Sequence, residues 1–424
     1  RIDLGDQQRI RAQLQQALSQ VVDEGTRNQV RQIFASLEAV IDVDFVEVTE
    51  TSSSVGDLRF AFTSALGNNV LGYTYFPGGS YSVATSQGSA YANAGDIWIN
   101  ADQAVGFDPY AGSYASLTLL HEISHALGLK HPFEFLGQFG TLPTAEDSYD
   151  YTVMSYSSIA GSSQSGMNFY PTSLMTYDVF ALQYLYGANT SYHNGNDTYV
   201  FRQGEAYNQT IWDTGGIDTL RYDASSDGAT IDLRDGQWQA LGASLDYFDI
   251  ANPANDTTSD YTVQILPGVV LENAIGGQGA DSISGNGSAN NLAGRGGNDR
   301  LEGRYGNDTL AGGDGNDTMV GGHGNDTYYV GQPGDRIIEY ANQGRDLVNS
   351  WIDRGLGANQ EDLTLLGSKG LDGQGNSLAN RITGNSAANR LDGFAGNDTL
   401  AGGNGSDTMV GGAGNDTYYV GQAG

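Results

Sequence analysis

The sequence predicts an α+β domain followed by an all-β domain of parallel strands wound into a β-roll. Before residue 186 the chain combines apolar residues at helical spacing with short runs of β-forming residues. From residue 276 it repeats a nine-residue pattern rich in Gly and Asp, with one aliphatic or aromatic residue in each repeat. The division predicted from these patterns is an α+β domain over 1–190, a β-sandwich-like junction over 191–275, a first β-roll over 276–331, a linker over 332–374 and a second β-roll over 375–424.

Composition excludes several classes of protein. The chain has 424 residues, no Cys, and 19 Lys+Arg against 50 Asp+Glu, a formal charge of −31. Disulfides and Cys-ligated metal sites are therefore impossible, and a polyanion of this kind repels nucleic acid. No stretch reaches the roughly 18 apolar residues of a membrane-spanning helix. Cations are the partners that such a charge favours.

Periodicity gives the elements of the first domain. Helical spacing predicts helices over 10–21, 30–41, 116–127 and 177–186. Short β-rich runs predict strands over 43–48, 58–62, 73–76 and 97–99. Gly128 stands where the third of these helices should end, in a left-handed conformation that Gly adopts without steric cost.

The nonapeptides carry one carboxylate or amide in phase, followed two residues later by a core residue. The in-phase acids are Asp281, Asp299, Asp308, Asp317, Asp326, Asp398, Asp407 and Asp416. Gly-rich turns point backbone carbonyls inward, and Ca²⁺ accepts six to eight such oxygens. A disordered linker is the alternative, but it would not place a core residue in every repeat. We therefore expect several structural Ca²⁺ ions, and a β-roll that is unfolded when Ca²⁺ is low. Because the pattern stops in mid-repeat, we also expect the natural chain to continue beyond Gly424.

The segment HEISHALGLKH, residues 121–131, carries the chemistry. It matches HExxHxxGxxH at His121, Glu122, His125, Gly128 and His131. Residues four apart share one face of a helix, so His121 and His125 can bind one Zn²⁺. The turn at Gly128 brings in His131 as the third ligand. Glu122 is then placed to take a proton from a water molecule at the metal.

A methionine follows this motif at a meaningful distance. Met154 lies in the segment YTVMSY, 151–156, 23 residues after His131. We expect its thioether to pack beneath the imidazoles as a structural floor and not to bind the metal.

These residues resemble the metzincin zinc endopeptidases and, within them, the serralysin branch of secreted bacterial proteases. HEISHALGLKHP is similar to the zinc motif of that branch, MSY at 154–156 to its Met-turn, and the nonapeptides to its calcium-binding RTX repeats. The resemblance makes 1–190 the zinc metalloprotease domain. The family usually has a strand before its first long helix, whereas here the helix predicted over 10–21 leaves no room for one.

The resemblance also assigns further residues. It implies that Tyr156 is an additional zinc ligand that swings away to stabilise the developing oxyanion. It implies that Asp213 and Asp218 hold a Ca²⁺ at the domain junction. It further implies an edge strand that pairs with an extended substrate, formed by Ile97, Trp98 and Ile99.

The leading hypothesis is a secreted, calcium-stabilised zinc endopeptidase that acts on protein or peptide substrates. A monomer is expected, exported from a bacterium by the type I route and restrained as a zymogen by a pro-segment or by a protein inhibitor. The alternative from another class is a calcium-dependent adhesin or surface-layer protein with a vestigial protease domain.

Overall fold

The computed structural model describes residues 14–18, 24–47, 58–63, 71–74, 95–100, 109–134 and 140–420. The chain forms two compact units. The first unit is drawn from Arg1–Asn194, Ala206–Thr214 and Ala243–Leu266. The second is drawn from Gly195–Glu205, Gly215–Gly242 and Pro267–Gly424. Two segments beyond residue 190 thus group with the first unit, and the predicted junction over 191–275 is shared between the units.

Helices and strands follow the chain in this order. The part before residue 270 contains β1 Leu14–Leu18, α1 Glu24–Val40, β2 Phe45–Glu47, β3 Leu58–Thr63, β4 Gly72–Thr74, β5 Asp96–Asn100, α2 Tyr114–Ala126, β6 Ser165–Met167, α3 Thr176–Tyr186, β7 Thr198–Arg202, β8 Gln209–Ile211, β9 Thr219–Asp223, β10 Thr230–Asp232, β11 Trp238–Asp249 and β12 Thr257–Ile265, with 3₁₀ turns at Thr144–Glu146 and Pro253–Asn255. The remainder contains β13 Asn273–Ile275, β14 Ser282–Ser284, β15 Asn291–Gly296, β16 Arg300–Tyr305, β17 Thr309–Asp314, β18 Thr318–His323, β19 Thr327–Val330, β20 Arg336–Ile338, β21 Leu347–Ser350, β22 Arg354–Gly355, β23 Asp362–Leu365, β24 Asp372–Gln374, β25 Arg381–Thr383, β26 Arg390–Asp392, β27 Thr399–Ala401, β28 Thr408–Val410 and β29 Thr417–Tyr419.

The first unit contains a mixed sheet with strand order β2-β1-β3-β5-β4. Its strands run parallel except β4, which is antiparallel to β5. Helix α1 buries Val30, Phe34 and Leu37, and the Phe34 ring lies 4.5 Å from the ring of Phe45 and 6.2 Å from that of Phe60. Burial of this apolar stripe stabilises the helix against the sheet.

The helix predicted over 10–21 is wrong where the structure describes that segment. Residues 14–18 form β1, which pairs in parallel with β2 on one side and β3 on the other. Helix propensity is a weak preference, and hydrogen bonding to two neighbouring strands outweighs it here. The first long helix is α1, so a strand does precede it.

The prediction that Ile97, Trp98 and Ile99 form an edge strand is also wrong. They lie in β5, which is paired with β3 on one side and with β4 on the other. Ile97 and Ile99 are buried, as expected for an inner strand that is covered on its faces. Within the described residues, the edge of the sheet at this side is β4, Gly72–Thr74.

The second unit is the predicted parallel β-roll. One of its sheets has the strand order β7-β9-β13-β15-β17-β19-β21-β23-β25-β27-β29. Residues eighteen apart pair across neighbouring coils, as Leu292 does with Leu310 and Leu301 with Met319. The core residues of the first block are at most 1 % exposed: Ile283, Leu292, Leu301, Leu310, Met319 and Tyr328. Each nine-residue repeat therefore forms one half-turn of the roll.

Residues 332–374 do not form a linker between two separate rolls. Their strand β20 pairs with β18, while β21 and β23 continue the sheet from β19 to β25. The buried side chains of Val348 and Leu363 extend the core between the two nonapeptide blocks. These coils do not follow the nonapeptide period, because they lack the repeated Gly-rich turns from which that period is recognised.

Among the described residues, no helix has both the length and the apolar character needed to cross a membrane.

Candidate metal centre

Helix α2 positions the first two histidines of the motif. Its first turn is capped by Ser113, whose hydroxyl oxygen accepts a hydrogen bond from the backbone N–H of Ser116 at 3.0 Å. Gly128 ends the helical segment with a φ of +101°, which side-chain-bearing residues rarely adopt. The turn that follows returns His131 to the face that carries His121 and His125.

The three imidazoles converge through their Nε2 atoms. His131 Nε2 lies 3.2 Å from His121 Nε2 and 3.0 Å from His125 Nε2. Nitrogens bound tetrahedrally to one Zn²⁺ are about 3.3 Å apart, given Zn–N bonds of about 2.0 Å. The three histidines that the HExxHxxGxxH motif predicts as ligands therefore lie close enough together to bind one zinc ion.

Hydrogen bonds at the opposite ring nitrogens set the tautomers. His121 Nδ1 donates to the Val153 carbonyl at 2.9 Å, and His125 Nδ1 donates to the Leu129 carbonyl at 2.7 Å. His131 Nδ1 donates to Glu134 Oε1 at 2.8 Å. Because all three Nδ1 atoms carry the proton, their Nε2 atoms present lone pairs to one another. Facing lone pairs at these distances need a shared cation.

Burial keeps two of these rings neutral. It lowers the pKa of His121 to about 3 and that of His125 to about 4. Both imidazoles are therefore unprotonated at pH 7 and ready to act as ligands. The donor set of three imidazole nitrogens fits zinc at an open site.

Tyr156 lies beside the cluster. Its hydroxyl oxygen is 2.6 Å from His131 Nε2, and its ring stacks on His121 with centroids 5.5 Å apart. Burial raises the pKa of Tyr156 to about 12, so the phenol is protonated at neutral pH. The residue is also 51 % exposed, so part of it is accessible to solvent. That Tyr156 binds zinc remains a prediction.

Glu122 is held next to the histidines by the edge strand. It is 6 % exposed, and Oε2 accepts a hydrogen bond from the Thr74 hydroxyl at 2.7 Å. A Cβ at Gly72 would lie 2.8 Å from Glu122 Oε1, so strand β4 approaches the carboxylate as only glycine allows. Burial raises the pKa of Glu122 to about 7, the range suited to a general base.

The predicted Met-turn supplies part of the support for the site. Met154 is 2 % exposed, and the preceding carbonyl of Val153 is the partner of His121. Asp178 of α3 holds this turn, because its buried carboxylate accepts from the N–H groups of Val153 and Met175 and from the Thr152 hydroxyl. Packing of Met154 beneath the imidazoles stays a prediction.

Sequence reasoning missed Thr74, Glu134 and Asp178. Thr74 gives no local signal, since it contacts Glu122 from 48 residues away. Glu134 could have been found, because it stands three residues after His131 and such a carboxylate commonly orients a metal-binding histidine. Asp178 is an acidic residue in the first turn of α3, where it also satisfies an N-terminal backbone donor.

The nonapeptide aspartates form a second kind of candidate site. In successive coils, one carboxylate oxygen accepts from the backbone N–H of the residue eighteen positions earlier, as Asp299 does from Asp281 and Asp308 from Asn290. The other oxygen is buried and, within the described chain, has no hydrogen-bond partner at Asp299, Asp308, Asp317, Asp326 and Asp398. Buried, unpartnered carboxylate oxygens of this kind are costly unless a cation binds them.

The Gly-rich turns place carboxylate and carbonyl oxygens close together. A Cβ at Gly303 would lie 2.2 Å from Asp308 Oδ2 and 2.6 Å from the Gly321 carbonyl oxygen. The cradle thus brings a carboxylate and backbone carbonyls together, the donors that Ca²⁺ prefers. Asp407 and Asp416 hold the same register. Asp281 differs, because its Oδ1 accepts from the Ala229 N–H and its Oδ2 from the Gly277 N–H at 2.7 Å.

Asp213 and Asp218 belong to different compact units. Both side chains are buried, and Asp218 Oδ1 accepts from the Asp197 N–H at 2.8 Å within the second unit. A shared Ca²⁺ at this pair stays a prediction.

Comparison with known proteins identifies both parts of the chain. Residues 6–134 match the family model of the matrixins, and residues 272–301, 302–332, 374–409 and 392–422 match the RTX calcium-binding nonapeptide repeat. The chain therefore carries a matrixin domain followed by RTX repeats. The first implies a catalytic zinc at the three histidines, and the second implies several Ca²⁺ ions, as predicted.

The curated relatives that this chain resembles include serralysins and a metalloprotease. The serralysin of Proteus mirabilis is 32% identical over 274 residues, which cover 59% of this chain and 52% of the relative. Serralysin C of Dickeya chrysanthemi is 34% identical over 279 residues (60% and 52%), and the metalloprotease AprA of Pseudomonas entomophila is 30% identical over 276 residues (59% and 52%). The resemblance to serralysin-type metzincins is confirmed. The chain spans about half the length of the curated relatives it matches.

Proposed function

We propose that the protein is a secreted zinc endopeptidase that hydrolyses peptide bonds of extracellular proteins. The observation that carries the proposal is the convergence of three imidazole Nε2 atoms, 3.0 and 3.2 Å apart, beside the buried carboxylate of Glu122. The similarity to serralysins supports it.

Each residue of the centre has a role in the proposed reaction. Zinc held by His121, His125 and His131 would supply Lewis acidity toward the scissile carbonyl. Glu122 accepts a proton from the attacking water and passes it to the leaving amine, as its pKa near 7 allows. The hydroxyl group of Tyr156 donates a hydrogen bond to the developing oxyanion.

The edge strand β4 is the surface proposed to bind the substrate, in place of β5. Strand Gly72–Thr74 lies against Glu122 and, among the described residues, has a partner strand only on the side of β5. An extended peptide can pair with such an edge through its backbone. Because this pairing involves the backbone of the substrate and not its side chains, we expect the protein to cleave peptides of many different sequences.

The test of the mechanism compares the wild-type protein with Glu122→Gln in the cleavage of casein. Loss of the proton acceptor should lower kcat at least about a thousand-fold while zinc content stays at one per chain. Glu205→Gln, an exposed change outside the centre, is the matched control and should cleave at the wild-type rate. Equal rates for Glu122→Gln and the wild-type protein would discard the mechanism.

We also propose that the RTX domain folds only outside the cell. Extracellular calcium modules bind in the range of about 0.1 to 1 mM, far above the Ca²⁺ concentration of a cytosol. A chain that stays unfolded until it meets Ca²⁺ suits a type I channel, which threads unfolded polypeptides. A monomer, restrained by a pro-segment or by a protein inhibitor, completes the proposal. Circular dichroism that showed the full β signal without Ca²⁺ would contradict it.

A calcium-dependent adhesin or surface-layer protein is the second candidate. The long solenoid that joins both nonapeptide blocks and the formal charge of −31 favour it. Metal analysis separates the two functions: calcium-loaded protein without zinc and without caseinolytic activity would favour the adhesin.

A further inference from the structure

An aromatic side chain that the proposed mechanism does not use lies against the metal centre. Phe133 follows His131 by two residues in the turn after α2. Its ring is nearly parallel to the His131 imidazole, with centroids 5.0 Å apart and an interplanar angle of 7°. The same ring lies 5.3 Å from that of Tyr156, at an angle of 51°. Phe133 therefore packs against a proposed zinc ligand and the proposed oxyanion donor together.

Phe133 is only partly covered by these contacts. The residue is 44 % exposed, although removal of apolar surface from water favours the burial of phenylalanine. Most of the surface of a phenylalanine belongs to its ring, so part of the ring is accessible to solvent beside the histidines. Aromatic side chains in this situation are typical of the walls of ligand sites.

Contacts other than this ring hold the turn in place. The backbone N–H of Glu134 donates to the His131 carbonyl at 3.2 Å. The ammonium group of Lys130 donates to the carbonyl oxygens of Glu134 and Gly140. We therefore expect the turn to keep its conformation when the Phe133 ring is removed, and the partly exposed ring to contribute to binding more than to folding.

A peptide paired with β4 would direct alternate side chains toward the centre, because successive side chains of an extended strand point to opposite faces. Strand β4 reaches the centre through Thr74, which contacts Glu122, whereas Phe133 reaches it through His131. One side chain of the bound peptide would therefore pass the metal on the His131 side and meet the ring of Phe133.

We propose that Phe133 is a specificity-determining residue, which binds a large apolar or aromatic side chain of the substrate near the scissile bond. The inference rests on the proposed peptidase function. Aromatic rings pack on one another with centroids about 4.5 to 7 Å apart, and this contact removes apolar surface from water. Because pairing with β4 involves only the substrate backbone, we expect the preference to be confined to one position of the peptide.

The charges near Phe133 disfavour an acidic side chain at that position. Glu134 is the next residue, and its carboxylate accepts from His131 Nδ1 at 2.8 Å. Glu122 adds a second carboxylate at the centre, and the chain as a whole has a formal charge of −31. Arginine is the competing ligand, because a guanidinium group can stack on an aromatic ring and is attracted by carboxylates.

The experiment measures kcat/KM for peptides that carry Phe, Ala, Arg or Asp at one position, scanned across the residues on both sides of the scissile bond. At one position, we expect the wild-type protein to cleave the Phe peptide at least about ten-fold better than the Ala peptide. Phe133→Ala should reduce this ratio below about three-fold and leave the ratios at the other positions unchanged. Phe133→Gln, with a polar side chain, is the second variant and should give the same loss.

Two further variants are controls. Phe133→Tyr keeps an aromatic ring and should keep the wild-type ratio. Tyr184→Ala removes an aromatic ring from an 89 % exposed residue of α3, outside the centre, and should keep it too.

Binding separates selectivity from mere support of the histidine. The uncleaved peptides are titrated by calorimetry into zinc-loaded Glu122→Gln, with and without Phe133→Ala. We expect the tighter binding of the Phe peptide to be lost with the ring, while zinc content stays at one per chain. An equal fall in kcat/KM for all peptides in Phe133→Ala would overturn the proposal, because the ring would then only support His131.

Three other results would also overturn the proposal: no position at which the wild-type protein prefers Phe, an unchanged ratio in Phe133→Ala, or a wild-type preference for Arg at the selective position. A wild-type protein that cleaves neither these peptides nor casein would refute the proposed peptidase function itself, and this inference with it.

Discussion

His131 depends on one side chain for its orientation. The other two ligands donate their Nδ1 protons to backbone carbonyls, whereas His131 donates to Glu134 Oε1. A side chain can be replaced by mutation whereas a backbone carbonyl cannot, so Glu134 offers a direct test of how the ring is held. Carboxylate partners of this kind raise the basicity of the histidine and fix its tautomer.

Replacing Glu134 by Ala should weaken zinc binding by about 10- to 100-fold, because His131 loses the acceptor that fixes its tautomer. Competition with a chelator of known affinity measures the change. Glu134→Gln keeps an oxygen acceptor and should recover most of the affinity. If Glu134→Ala binds zinc as tightly as the wild-type protein, the contact has no positioning role.

Thr74 tunes the base from the edge strand. Its hydroxyl donates to Glu122 Oε2, a bond that favours the ionised carboxylate and so opposes the effect of burial on the pKa. Thr74→Val should therefore raise the pKa of Glu122. The acidic limb of the kcat/KM profile should move to higher pH, while Thr74→Ser should keep the wild-type limb. An unmoved limb in Thr74→Val would show that this hydrogen bond does not set the ionisation.

A buried carboxylate joins helix α3 to the turn around Met154. Asp178 accepts from two backbone N–H groups and one hydroxyl, and these contacts place the Val153 carbonyl that His121 uses. Asp178→Ala would leave these donors buried without an acceptor. The free energy of unfolding of the first unit should fall by roughly 3 kcal/mol, measured by urea denaturation.

Asp178 also predicts a pH dependence. Burial raises its pKa in the folded protein from 3.8 to about 6. The folded state therefore binds the proton more tightly than the unfolded state, so the contribution of this group to stability is full below about pH 4 and is lost as the pH rises through 6. Asp178→Asn should remove this pH-dependent contribution. Between pH 4 and 6 the free energy of unfolding of the variant should therefore change less than that of the wild-type protein. Identical slopes would contradict the assignment.

The elements that sequence predicts best are those with a local signal. Helix α2 combines apolar periodicity, a Ser cap and a terminal Gly128, and it was found within two residues at each end. The sequence predicts a helix where β1 lies and an edge where β5 lies. Both predictions fail because the pairing depends on which strands are neighbours, and no local residue pattern encodes those neighbours. The zinc ligands follow from spacing within one helix and turn, whereas Thr74 and Asp178 meet the site only through the tertiary fold.

The whole chain is a polyanion. Most of the buried carboxylates among its described residues lie in the β-roll. Repeated carboxylates stack along the solenoid, so its folding without cations concentrates like charge in a dry interior. The coils of 332–374 extend this arrangement between the two blocks, and Asn290, Asn380 and Asn389 occupy in-phase positions with a neutral side chain. The array thus accommodates neutral amides at some of its in-phase positions.

Acid should therefore replace Ca²⁺ in part. Burial raises the pKa of Asp299 and of Asp308 from 3.8 to about 7 in the cation-free roll. A raised pKa in the folded state means that stability is gained as the pH falls through 7 toward 4 and is absent at pH 8. In chelator, circular dichroism should show little β signal at pH 8 and a growing signal toward pH 5, while saturating Ca²⁺ should give the full signal at both. The double variant Asp299→Asn/Asp308→Asn should need less acid to fold and should bind fewer Ca²⁺ ions, since asparagine already fits this position at Asn290. A calcium-free β signal that does not change between pH 8 and pH 5 would show that charge repulsion among the aspartates does not control folding of the roll.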